Sequence, residues 1–145
     1  MWQTNCLLFV IILWLYLYLY NLCNKPKQVE ALIIDDEIDI CFLLSSILRN
    51  KNILSSYVNS IGEAKKRLQE KNPEIIFLDN HLPDGMGVDF IGQLKKNYPH
   101  SKVVMITAYD TPADRNKAMI EGADHFIAKP FSRDMIYQTI DQLAV

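Results

Sequence analysis

Cysteine is scarce. Cys6, Cys23 and Cys41 are odd in number and have no metal-ligand spacing, which excludes a disulfide framework or a zinc site and makes a reducing compartment the expectation. A basic excess is also missing: 15 Lys and Arg stand against 17 Asp and Glu, so direct binding to nucleic acid is not expected. No methionine occurs between Met1 and Met86, and no Asp, Glu, Lys or Arg occurs among the first 24 residues. Both tryptophans, Trp2 and Trp14, fall in that uncharged stretch. The whole, 145 residues with 50% hydrophobic and 22% charged, suits one compact domain. It suits neither a disordered tail nor a polytopic membrane protein.

Residues 1–24 and 25–145 are different kinds of sequence. From Cys6 to Tyr20 every residue is apolar or aromatic, and Asn21 is the one polar residue before Leu22 and Cys23. Such a stretch is at the lower edge of what spans a bilayer as a helix. Four readings stay open. A cleaved secretory signal lacks its basic start and small-residue cleavage site here. A membrane tether through residues 6–23 gains support from Lys25 and Lys27, which would leave the rest at the cytoplasmic face. A mis-assigned start would begin the native chain near Val29. The fourth reading is an apolar helix packed on the domain or on a partner.

From Gln28 onward strand and helix patterns alternate. Val29–Ile34, Ile53–Val58, Ile75–Leu78, Val103–Ile106 and His125–Ala128 read as strands, the second less apolar and nearer an edge. Helical spacing covers 38–50, where Ile40, Leu43, Leu44, Ile47 and Leu48 form the apolar face, and then 61–71 and 88–97. Thr111 and Pro112 open a fourth helix that Gly122 closes, and Ser132 caps the last one. Alternation with short loops predicts a doubly wound α/β fold, five parallel strands with helices on both faces and right-handed crossovers. Ligands bind such sheets outside the carboxyl ends of the strands.

The polar residues gather at that edge. Asp35 and Asp36 follow the first strand, Asp79 the third, Thr107 the fourth and Lys129 the fifth. Carboxylates brought together repel unless a cation sits between them, and a hard divalent ion such as Mg²⁺ fits oxygen ligands. A carboxylate beside it can be a nucleophile toward a phosphoryl group. Lys129 can balance charge on the equatorial oxygens, and the Thr107 hydroxyl can donate to one. Taken singly, Asp36 or Glu37 would be helix-start charges, Thr107 a strand-end threonine and Lys129 a surface lysine. Cys41 reads as a small core residue.

These residues, in "LIIDDE", "IIFLDNHLPDGMG", "VVMITA" and "GADHFIAKPF", resemble the receiver domain of bacterial two-component response regulators, of the stand-alone type, over about Gln28 to Val145. The resemblance implies a flavodoxin-like (βα)5 fold with strand order 2-1-3-4-5. It implies Asp79 as phosphoryl acceptor, with Thr107 and Lys129 contacting the phosphoryl group. Asp36, Asp79 and the backbone carbonyl of His81 would bind Mg²⁺, with Asp35 acting mainly through metal-bound water. Thr107 and Phe126 would form the switch, and Lys129-Pro130 would be cis. His81 and Tyr109 stand at positions that tune water access, and bulky rings at both predict slow self-dephosphorylation.

The implied function is a phosphorylation-dependent cytoplasmic signalling switch, catalytic only toward its own phosphorylation and dephosphorylation. A sensor histidine kinase or phosphotransfer protein would supply the phosphoryl group. With only Ala144 and Val145 after the last helix, output is expected through protein docking at the fourth helix, fifth strand and fifth helix. A homodimer on phosphorylation is compatible with this. Two alternatives stay open: a pseudo-receiver that binds partners without phosphorylation, and a phosphatase with an aspartyl nucleophile. The phosphatase reading expects a second acid two residues after Asp79, where His81 stands.

Overall fold

The protein's structure, a computed structural model, describes residues 4–23, 28–108 and 111–144, with side chains in the first helix from 8 to 22. The chain runs α1 (Thr4–Cys23), β1 (Glu30–Ile34), α2 (Ile38–Asn50), β2 (Leu54–Val58), α3 (Ile61–Glu70) and β3 (Ile75–Asp79). It continues through β4 (His81–Leu82), β5 (Gly85–Met86), α4 (Gly87–Asn97), β6 (Lys102–Thr107), α5 (Pro112–Glu121), β7 (His125–Ala128) and α6 (Arg133–Leu143).

Five strands form one parallel sheet in the order β2-β1-β3-β6-β7, the order expected for the five main strands. Successive side chains of β1 and β3 serve opposite faces, and both faces are covered. Leu32, Ile34, Ile76 and Leu78 pack with Ala64 and Leu68 of α3 and Ile91 and Leu94 of α4. Ala31, Ile33, Ile75 and Phe77 pack with Cys41, Leu44 and Leu48 of α2 and Ile136 and Ile140 of α6. Burial on both faces is why these strands are unbroken apolar runs. β2 lies at an edge, and its two serines are only half-buried.

The expected helix ends hold. Thr111 Oγ1 accepts from Asp114 N at 3.1 Å, Ser132 Oγ accepts from Met135 N at 3.2 Å, and Gly122 takes φ 106° beyond the end of α5. Two details depart from the sequence reading. The turn-rich loop after β3 contains a two-stranded antiparallel hairpin, β4 with β5, too short to leave an alternation pattern. Leu43 faces outward beside Phe42, at 47% exposure, while Leu44 turns into the core. Val29 belongs to the folded domain: it packs against the second of these clusters, and its carbonyl accepts from Leu54 N at 3.0 Å.

α1 buries none of its described side chains. Among the described residues no helix is long and apolar enough to cross a membrane. The tether reading of residues 6–23 therefore has no spanning helix among the described residues.

Candidate functional site

β1 sends the chain to β2 on one side, and β3 flanks it on the other. In such sheets ligands bind outside the carboxyl ends of the strands, at the point where the strand order reverses, here between β1 and β3. Asp35 stands just beyond β1 and Asp79 ends β3, and both are buried, at 2% and 5% exposure. Buried carboxylates need partners. Asp35 Oδ1 accepts from Glu37 N at 2.9 Å, and Asp79 Oδ2 accepts from His81 N at 2.6 Å. Their other oxygens meet one ammonium: Lys129 Nζ lies 2.8 Å from Asp35 Oδ2 and 3.0 Å from Asp79 Oδ1.

Register aligns the remaining strand ends. Asp79 pairs with Ile106 of β6, Thr107 is the next residue, and Thr107 pairs with Ala128 just before Lys129. Lys129 N donates to the Thr107 carbonyl at 2.8 Å, so these two residues are tied through the backbone. Thr107 is fully buried, and the Lys129-Pro130 bond is cis, as expected.

The structure thus brings Asp35, Asp79 and Lys129 into contact and sets Thr107 beside Lys129. Asp36 is exposed, and so is the His81 side chain, although the His81 amide is part of the site. Phe126 is buried at 8% exposure, with the Arg115 guanidinium carbon 4.8 Å from its ring centroid. Tyr109 lies outside the described residues.

Four residues carry more of the site than their sequence context shows. Glu37, read as a helix-start charge, makes no side-chain cap on α2; its Oε1 lies 2.8 Å from Lys129 Nζ. Asn80 shapes the loop through Val88 N to Oδ1 at 3.1 Å and Gly87 N to its carbonyl at 2.8 Å. Gly87 packs directly under the Asp79 carbonyl. Asp84 accepts from Ile61 N at 2.9 Å and Gly62 N at 2.8 Å, tying the hairpin to the start of α3. The Gly62 and Ile61 amides hold the Asp84 carboxyl below the ordinary aspartate value. Its spacing from those amides is too long for a local turn signal to reveal.

Three carboxylates face one ammonium, so the pocket carries excess negative charge. Burial pushes the Asp35 carboxyl above the ordinary aspartate value, and the opposing pull of Lys129 and the Glu37 amide does not cancel it. Burial acts to lower Lys129, but its bonds to Asp35, Glu37 and Asp79 prevail, and its pKa lies above the usual lysine value. The lysine is the dominant partner: it stays protonated, and Asp35 bears the unbalanced burial. Among the described residues no three His, Cys, Asp or Glu side chains are gathered in a metal-holding cluster. Asp35 and Asp79 converge on Lys129 instead. Hard oxygen donors with unbalanced negative charge nevertheless suit a divalent cation such as Mg²⁺.

Known proteins resemble this chain in sequence and fold. The family of the response regulator receiver domain matches residues 31–141. The response regulator protein PilR of Pseudomonas aeruginosa is 34% identical over 101 residues, covering 70% of this chain and 23% of PilR. This chain spans half or less of the length of two further curated relatives. Among solved structures, the beryllofluoride-activated NtrC4 receiver domain dimer is 36% identical with TM-score 0.75, over 79% of this chain and 94% of that one. A response regulator from Burkholderia pseudomallei with a phosphorylated aspartic acid, calcium ion and citrate is 26% identical with TM-score 0.72, covering 76% and 65%.

The family match and the relatives place the chain in a class of phosphorylation-dependent signalling domains. The chain belongs to the response regulator receiver domain family of two-component systems.

Proposed function

We propose that Asp79 accepts a phosphoryl group from a histidine kinase or phosphotransfer protein. The observation that carries this reading is the Asp79 carboxylate, buried at the end of β3, with Lys129 Nζ at 3.0 Å and the His81 amide at 2.6 Å. An Asp79 carboxylate oxygen forms a bond to phosphorus as the phosphorus–nitrogen bond of the donor phosphohistidine breaks. The electron pair of that bond stays on the imidazole nitrogen. Lys129 and Thr107 then hold oxygens of the new acyl phosphate, and the His81 amide is a further donor beside it.

Asp36, Asp79 and the His81 carbonyl would hold a divalent cation, with Asp35 acting through bound water. Such an ion supplies charge neutralisation for the phosphoryl oxygens. A Burkholderia relative whose structure holds a phosphorylated aspartic acid and a calcium ion supports a divalent cation in this reading.

Phosphorylation adds roughly −1.5 to −2 charges. Thr107 is drawn toward them, and Phe126 follows behind it, shifting an existing equilibrium toward a form that docks partners. The output face is α5, β7 and α6, and the NtrC4 dimer favours self-association of the phosphorylated form. Acetyl phosphate with Mg²⁺ tests the transfer: one phosphoryl group per chain is expected, and none after EDTA. Steady release of phosphate from many substrates would point to a phosphatase instead. Failure to label with Mg²⁺ present would point to a pseudo-receiver.

A further inference from the structure

Glu37 is the most exposed of the three carboxylates that reach Lys129. It precedes α2 with extended backbone, φ −84° and ψ 100°, and its side chain leaves the helix amides uncapped. Its own amide is fixed on Asp35 Oδ1, which sets the residue at the mouth of the crevice. An ammonium has three protons to donate. On Lys129 three carboxylates are within reach, Asp35 at 2.8 Å, Asp79 at 3.0 Å and Glu37 at 2.8 Å.

Those acceptors are unequal. The side chains of Asp35 and Asp79 are 3% and 6% exposed, whereas that of Glu37 is 60% exposed. Asp79 loses its carboxylate charge when one of its oxygens bonds to phosphorus, so the arriving phosphoryl oxygens compete for the lysine with Asp35 and Glu37. Releasing Asp35 would strand a buried charge, which is costly; releasing Glu37 returns a carboxylate to water. We infer that Glu37 is an internal competitor for the phosphoryl group, bound to Lys129 at rest and displaced from it when Asp79 is phosphorylated. Glu37 is a positioning residue: it sets how strongly an anion must bind to claim the ammonium. This rests on Asp79 being the acceptor.

The test uses beryllofluoride with Mg²⁺ as the phosphoryl analogue, on the full chain and on Glu37→Gln. An amide oxygen competes for the ammonium less well than a carboxylate. Glu37→Gln is therefore expected to bind the analogue about two- to fivefold more tightly, the range of an exposed ion pair. In the unsubstituted protein the Glu37 side-chain carboxyl carbon signal should move to its solvent-exposed position as the analogue saturates. Equal or weaker binding by Glu37→Gln, or a Glu37 signal that stays in place, would overturn the inference. Absence of any binding to the unsubstituted protein would instead overturn the acceptor reading on which it rests.

Discussion

Lys129→Met is expected to lower folding stability near pH 7 by about 3–5 kcal/mol, the range for removing one partner of a buried ion pair. The Lys129 side chain is 9% exposed and neutralises Asp35 and Asp79, both buried. A methionine fills the space and leaves two buried carboxylates facing each other. The pH dependence follows in sign. Lys129 has a raised folded pKa, so its contribution is present in full below the unfolded lysine value and is lost only as pH rises through the higher folded value. Its absence is therefore felt fully at neutral pH. In the variant Asp35, already raised by burial, loses the cation that lowered it and rises further. Protonation then favours the folded state, so the deficit should shrink as pH falls from about 7 toward about 5. Urea unfolding at the two pH values measures this. A deficit that stays constant or grows on acidification would contradict the assigned charge pattern.

Gly87→Ala should be nearly as damaging, by about 3 kcal/mol, because it overpacks rigid backbone. A Cβ at Gly87 would stand 2.1 Å from the Asp79 carbonyl oxygen and 3.0 Å from its carbon. Neither atom can move without dragging the Asp79 side chain away from Lys129, so labelling by acetyl phosphate should fall together with stability. Gly92 on the same helix is the control. Its added Cβ meets only the flexible end of Glu121, at 3.1 Å. Gly92→Ala should leave labelling intact and gain up to about 1 kcal/mol from helix propensity. Equal stability of the two variants would remove the close approach from the account.

The central strands and the edge that carries the site were legible because burial on both sheet faces writes continuous apolar runs, each followed or ended by a polar residue. Asp79 and Lys129 could be assigned to one crevice from strand ends alone. Glu37 could not: its local position is that of a helix cap, and its partner lies 92 residues away. A flexible side chain at a helix start chooses between near amides and a distant ammonium, and periodicity does not record the choice. Gly87 was legible as a turn former, but its role is close packing under Asp79, not backbone torsion. Phe126 entered through resemblance alone, since a buried aromatic on a strand looks like ordinary core.

Asp79 is the proposed site of phosphorylation. Intact mass after acetyl phosphate and Mg²⁺, on the unsubstituted chain and on Asp79→Asn, tests it most directly. One added phosphoryl group is expected on the former and none on the latter, with the label on the peptide that contains Asp79. Equal labelling of Asp79→Asn would place the acceptor elsewhere and contradict the account.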